Sequence, residues 1–101
     1  MRIDTLRTAL SGYDSASKKI GVSAHNVANL LTEDFHPQRA EQVDRAEGGS
    51  EVRVHTSEQP RDVDLAGEIA DQMLAKVQAE ASLRVVDTEL DLVGSLIDLK
   101  A

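Results

Sequence analysis

Asparagine and threonine side chains cluster in the stretch SAHNVANLLTEDF, residues 23–35, where they could form a hydrogen-bonding site. Asn26, Asn29 and Thr32 follow one another at intervals of three residues, which places them on one side of a helix as it ends. Asn is a poor residue for helix interiors because its side chain competes for backbone hydrogen bonds. The spacing alone fits either a polar helix end or amides that bond backbone groups across a junction between elements.

Two other sets of residues could hold a metal ion or do acid–base chemistry, and both are interpreted as solvated. His25, His36 and His55 are too scattered for a metal site that the sequence could identify. The acidic residues of segment 87–91 (DTELD) alternate along a predicted helix, so their carboxylates point in different directions. The chain has no cysteine, no phosphate-binding loop and no catalytic triad pattern. We therefore predict that the protein is not an enzyme and takes no cofactor, metal or small-molecule substrate.

The composition narrows the remaining classes of function. The chain has 101 residues, enough for one small domain, and its formal net charge of −7 argues against nucleic acid as a partner. Aromatic residues make up 2% of the chain, so Ala, Val, Leu and Ile must do the packing, which suits a narrow seam between helices. No apolar run reaches the roughly 20 residues that span a bilayer, and the first residues lack the apolar core of a secretion signal.

Apolar residues recur every three or four positions between residues 3 and 31 and predict a first helix of about 28 residues. Pro37 then stops the helical pattern. This N-terminal stripe consists of Ile3, Leu6, Leu10, Tyr13, Ile20, Ala24, Val27 and Leu31.

The middle and the last part of the chain carry different patterns. EVRVHT alternates apolar and polar residues after the turn signal EGGS, and AEQVDRA could be its partner strand, so a short β-hairpin or an exposed loop is predicted. Asp62 or Asp64 could begin a second long helix, with a C-terminal stripe that includes Leu83, Val86, Leu90, Val93 and Ile97. The predicted parts are residues 1–35, 36–61 and 62–101.

These patterns predict a mostly α fold of two long amphipathic helices, a coiled-coil-like hairpin, joined by a short β-hairpin or loop. The two stripes could meet within one chain, between chains, or both. Residues 1–31 carry four bases and two acids, a net charge of +2, whereas residues 62–101 carry three bases and nine acids, a net charge of −6. The two helical segments should therefore attract each other, within a chain or between chains.

The stretch SAHNVANLLTEDF resembles the N-terminal signature of bacterial flagellar axial proteins, the family of rod, hook and hook-associated subunits. That signature has an Asn–Ile/Val–Ala–Asn core followed by Thr, Gly and an aromatic residue. Asp34 stands where the signature has Gly, and Asp tolerates the positive φ that Gly supplies better than most residues. The matching positions are Ala9, Leu10, Ser11, Gly12, Ala24, Asn26, Val27, Ala28, Asn29, Thr32 and Phe35.

The C-terminal segment, residues 63–101, is similar to the other terminal signature of the same family. VDLAGEI looks like its Asn–Val–Asp–Leu–Ala–x–Glu start, with Arg61 and Asp62 where Ser and Asn are common, and LVGSLIDLKA looks like its Leu-rich ending. Ala79 and Ser82 stand where the family often has an aromatic residue and Asn, so a seam built around that aromatic must pack differently. The two matches cover about two-thirds of the chain in the family's order, and the short insert between them is typical of a rod-type member.

The resemblance implies a structural subunit of the flagellar basal body rod, in its periplasmic part, exported by the flagellar type III apparatus without a cleaved signal peptide. Its partners would be other rod and hook axial proteins, like subunits and the export apparatus. An alternative is a soluble helical adaptor or export chaperone for axial subunits, which would stay in the cytoplasm. The predicted assembly residues are Leu6, Leu10, Tyr13, Ile20, Asn26, Val27, Asn29, Thr32, Leu83, Val86, Leu90, Val93 and Ile97.

Overall fold

The chain folds into two long helices with a short two-stranded antiparallel sheet between them. The computed structural model describes residues 3–100, with side chains only as far as residue 98. The predicted mostly helical class, with two helices and a hairpin between them, is confirmed. Arg2, which the charge count includes, and the side chains of residues 99–101 in the second signature lie outside the described part. The four elements are α1 (Ile3–Ala28), β1 (Gln38–Asp44), β2 (Ser50–Thr56) and α2 (Leu65–Lys100).

The molecule is long and thin. Its principal extents are 63 × 26 × 14 Å, and its radius of gyration is 17.6 Å, against about 13 Å for a compact domain of this length. The accessible surface is 7315 Å², against about 5,600 Å² for a compact protein of this mass. The chain therefore leaves far more surface in contact with solvent than a compact domain of its size.

Small and polar residues, not the large apolar ones, form the contact between α1 and α2. The helices run antiparallel, because Ser23 lies against Gln72 and Gly12 lies against Ser82. The buried apolar residues of the described chain are only Ala9, Ala16 and Ala75. Small side chains let the two backbones approach closely, and no bulky residue of either stripe is fully buried in the contact.

Polar side chains cross this narrow contact and hold its register. The Gln78 amide donates a hydrogen bond to the Gly12 carbonyl at 3.0 Å, and its oxygen accepts one from the Lys19 ammonium at 2.7 Å. The Ser23 hydroxyl donates to the Glu68 carbonyl at 3.0 Å. Of the residue types expected to pack the seam, Ala, Val, Leu and Ile, only Ala is buried in the described helix pair, whereas Val, Leu and Ile are half-buried or exposed.

The β-hairpin rests on α1, as an isolated hairpin requires support. Its seven-residue strands pair from Gln38 opposite Thr56 to Asp44 opposite Ser50. Gly48 and Gly49 have φ of 99° and 80°, the left-handed conformations that the EGGS turn signal predicted. The Ser11 hydroxyl accepts a hydrogen bond from the Ser50 backbone N–H at 3.1 Å.

Both helix boundaries have identifiable caps. α1 ends at Ala28, three residues before the end of the predicted stripe, and residues 29–31 form turns. Of the two candidate caps for α2, Asp64 is the one that acts: its carboxylate accepts a hydrogen bond from the Gly67 N–H at 3.2 Å. Within the described chain, neither helix combines the length and apolar character needed to cross a membrane.

Asp34 adopts φ of 55°, which confirms the expectation that a positive φ survives the replacement of Gly at this position. A side chain costs energy in this region, although Asp costs less than most. We therefore expect Asp34→Gly to raise the free energy of unfolding by about 0.5 kcal/mol and Asp34→Ala to lower it by about as much. Urea denaturation followed by circular dichroism checks both, and a destabilised Asp34→Gly variant would contradict this explanation.

Candidate assembly surface

The Asn26 side chain joins three elements of the fold. It is 2% exposed, and its Nδ2 donates to the Gln38 carbonyl at 2.7 Å and to Glu68 Oε2 at 3.1 Å. Its Oδ1 accepts from the Gln38 N–H at 2.8 Å. One carboxamide thus connects the end of α1 with the start of β1 and the first turns of α2.

The bonds between Asn26 and Gln38 take the place of a neighbouring strand. Across the hairpin, the Pro37 carbonyl accepts a hydrogen bond from the Ser57 N–H, and the Arg45 N–H donates one to the Gly49 carbonyl. In an antiparallel pair such bonded residues alternate with residues whose backbone N–H and C=O point away from the partner strand. Gln38 is one of these outward residues, and its N–H and C=O would otherwise lie unpaired. The amide satisfies both groups and thereby fixes where the hairpin sits along α1.

Asn29 and Thr32 act locally, although the sequence placed them beside Asn26. The Asn29 amide donates to the His25 carbonyl at 2.9 Å, and the Thr32 hydroxyl donates to Asn29 Oδ1 at 3.0 Å. Both contacts close the C-terminal turn of α1, which is exposed. Within the single chain, these two residues cap a helix and Asn26 alone spans elements; a role for Asn29 and Thr32 between subunits stays a prediction.

The predicted N-terminal stripe lies on the outside of α1. Leu10 is 49% exposed and Tyr13 is also exposed, whereas Leu6, Ile20 and Val27 are half-buried. None of the five lies in the buried core.

The predicted C-terminal stripe has the same character. Leu83 is 47% exposed, Leu90 and Ile97 are more exposed still, and Val86 and Val93 are half-buried. Further exposed apolar residues of α2 lie outside this stripe, and their spacings of 9, 11, 7 and 4 residues form no continuous helical pattern that could have indicated them. These residues are Leu65, Leu74, Val85, Leu92 and Leu96.

Part of each stripe lies on the face of the molecule that is turned away from the hairpin. On α1, Ser15 hydrogen-bonds Ser50 of the hairpin at 2.9 Å, and Tyr13 lies about 160° round the helix from it. On α2, Val85 lines the cleft beside the hairpin, and Leu83 lies about 160° from Val85 round the helix axis. We call this surface the hairpin-free face, and it comprises Leu6, Leu10, Tyr13 and Ile20 of α1 with Leu83 and Leu90 of α2.

The residues considered for metal or acid–base chemistry are not brought together. His36 bonds the Ser57 carbonyl, His55 bonds Glu41, and His25 stacks near Phe35. Across the described residues, no cluster of His, Asp and Glu could hold a metal ion.

The expectation that the acids of segment 87–91 are all solvated is wrong for Glu89. Glu89 is buried, and its side chain has an interaction partner, whereas Asp87 and Asp91 are exposed. Glu89 lies seven residues, about two turns, after Ser82 of the helix contact, which explains its burial.

No model of a known protein family matches this chain, and neither does any curated protein sequence.

The two interior glycines of α1 offer a matched test of the close helix approach. A Cβ on Gly12 would lie 2.7 Å from Ser82 Oγ, whereas nothing surrounds a Cβ on Gly21 within 4 Å. Because Ala favours a helix over Gly, we expect Gly21→Ala to stabilise the protein by about 1 kcal/mol. Gly12→Ala should lose most of that gain, and combining it with Ser82→Ala should recover it. Equal urea midpoints for the two single variants would contradict the close approach.

Proposed function

We propose that this protein is a structural subunit of the bacterial flagellar rod that assembles with like or related axial subunits through its two helices. The observation that carries the proposal is the hairpin-free face, where large apolar residues of both helices are exposed or half-buried. Monomeric proteins rarely leave extended apolar patches uncovered, and such patches mark interaction surfaces. The flagellar assignment itself comes from the two terminal signatures.

The helix pair of each subunit is proposed to be coiled-coil-like. Its inner positions on α1 are Ala9, Gly12, Ala16, Lys19 and Ser23, and they recur at intervals of three and four residues. A seam of small residues brings the helices close and turns both apolar stripes outward. In this proposal the subunit is a flat two-helix layer whose large side chains contact the helices of neighbouring subunits.

The geometry of the signature stretch supports the family assignment. Asn26 is the buried residue that bridges three elements, and Asp34 keeps the positive φ for which the signature uses Gly. These are functions for residue types that an ordinary helix end would not need. The same residues would give each subunit one defined shape, which a polymer with a repeated contact requires.

The packing mode that we propose is heterologous, with α1 of one subunit beside α2 of the next. Residues 1–31 carry net positive charge and residues 62–101 carry net negative charge, so unlike helices attract across the contact. A heterologous contact that does not close generates a helical array, which is the geometry of a rod. Other axial proteins with the same terminal helices would fit this contact, as would the export apparatus during passage to the periplasmic part of the basal body.

The experiment that tests the proposal is deletion of this chain with complementation by a tagged copy, followed by purification of basal bodies and a motility assay. We expect the tagged protein to copurify with basal bodies and the deletion strain to lack a rod. A protein that stays in the cytoplasm while rods still assemble would reject the proposal. That outcome would favour the adaptor or chaperone function, for which an exposed apolar helix face is also suited.

A further inference from the structure

The two ends of the molecule are staggered. Gly12 faces Ser82 and Ser23 faces Gln72, so Ile3, the first described residue of α1, lies opposite the turn around Asp91. Residues 92–100 of α2 therefore continue beyond the described part of α1. At 1.5 Å per residue, this overhang projects by about 13 Å.

The overhang exposes apolar side chains on the side where α1 would lie if it continued. Leu92, Leu96 and Ile97 are exposed, and Val93 is half-buried. Val93 follows Glu89, the last buried position of the helix contact, by four residues, so it and its neighbours Leu96 and Ile97 continue that contact surface. The inner surface of α2 is thus longer than the described part of α1 that covers it.

At the opposite end of the molecule, the chain after α1 extends past the start of α2. α2 begins at Leu65, so its first turn lies opposite the end of α1, and Leu30 and Leu31 lie beyond it. Leu30 follows Asn26, the last buried position of α1, by one helical turn. Leu31 is 92% exposed, and both leucines line an open cleft of about 530 Å³ with Phe35 and Pro60.

We propose that the overhang of one copy packs against this loop end of a second copy, with Leu96 and Ile97 contacting Leu30 and Leu31 in a head-to-tail contact. The inference rests on the proposed function and names its longitudinal contact. A second copy is the fitting occupant because each chain carries both halves at opposite ends of its 63 Å axis. In the contact, the end of α1 from the next copy packs against the part of α2 that extends past the described part of its own α1.

The contact is apolar and small. Among the described side chains, Asp98 is the charged residue of the overhang, and Glu33, Asp34 and Asp62 lie at the loop end with Arg61, so these carboxylates oppose the approach. The side chains involved are too few to bury the 1,200 Å² or so of a stable pair, so it acts together with the hairpin-free face. High salt should favour it, because about 1 M salt shortens the Debye length to about 3 Å.

Cysteine cross-linking tests the contact directly because the chain has no cysteine of its own. Ile97→Cys and Leu31→Cys variants of different tag length are mixed in 1 M salt and oxidised, with Leu96→Cys and Leu30→Cys as a second pair. We expect a mixed disulfide dimer from at least one pair, at a yield at least five-fold above that of Ile97→Cys mixed with Val54→Cys on the hairpin. Neither position should cross-link strongly to itself.

The outcomes separate this inference from the proposed function. Sedimentation of the same samples reports assembly, and the basal-body experiment reports incorporation. Assembled protein without a mixed dimer from either pair overturns the head-to-tail contact and leaves the rod proposal standing. Dominant self-cross-linking of Ile97→Cys overturns it in favour of a closed tail-to-tail dimer. A mixture that stays monomeric without cross-links overturns it too, and failure to enter basal bodies rejects the rod function separately.

Discussion

Asn26→Ala should lower the free energy of unfolding by about 3 kcal/mol, enough to move the melting temperature by 10 °C or more. The variant loses three hydrogen bonds, and the Gln38 N–H and C=O lose their side-chain partner at a part-buried junction. An unsatisfied buried backbone group costs about 1–3 kcal/mol, more than the bond itself contributes. The effect should also appear as faster hydrogen exchange of the β1 amides, because the hairpin loses its fixed position on α1.

Two further variants distinguish a junction from a cap. Asn29→Ala removes only contacts that close the exposed end of α1, so we expect it to cost about 1 kcal/mol or less. Asn26→Asp keeps an acceptor for the Gln38 N–H, but it cannot donate and it places a second carboxylate beside Glu68. It should therefore be at least as damaging as Asn26→Ala. Thermal unfolding followed by circular dichroism measures all three, and equal losses at Asn26 and Asn29 would refute the bridging role.

The double variant Leu10→Gln, Leu83→Gln should lose self-association and keep its fold. Both side chains are about half exposed in the single chain, so their replacement should change the free energy of unfolding by about 1 kcal/mol each or less. In an assembly the same side chains would be fully buried, and burying an unpaired amide there costs a few kcal/mol. We expect the association constant to fall by about 100-fold or more.

Analytical ultracentrifugation over a range of concentrations checks this prediction, with circular dichroism as the control for folding. Val54→Gln is the matched control, because Val54 is 50% exposed but lies on the hairpin. Self-association that survives in the double variant, or that fails equally in Val54→Gln, would show that the hairpin-free face is not the contact.

The sequence was sufficient for the elements that depend on local chemistry. Helical periodicity located both helices, and the glycines of EGGS located the hairpin turn, whereas the positive φ of Asp34 was expected from the resemblance to a signature with Gly at that position. Each of these features follows from residues that are close in the chain. The start of α2 was also predicted from a capping residue, although the sequence left Asp62 and Asp64 as two candidates.

The orientation of the helices could not be predicted, because two stripes with the same spacing run side by side on α1. One contains large residues such as Leu10 and Tyr13, and the other contains small ones such as Ala9, Gly12 and Ala16. Hydrophobicity favours the large stripe as the buried one, but close approach of the two backbones selects the small one. The bridge from Asn26 to β1 was also unpredictable, since it joins elements whose relative position no local pattern encodes.

The core of three buried alanines gives the folded subunit little apolar burial of its own. Its melting temperature should therefore depend on how much protein is present, since partners that bind only the folded form stabilise it by mass action. At a hundredfold excess over the dissociation constant, that gain is about 2.7 kcal/mol, a large part of what a small domain possesses. A dilute subunit would unfold readily, whereas the same chain in an assembly would be kept folded by its contacts with neighbouring subunits.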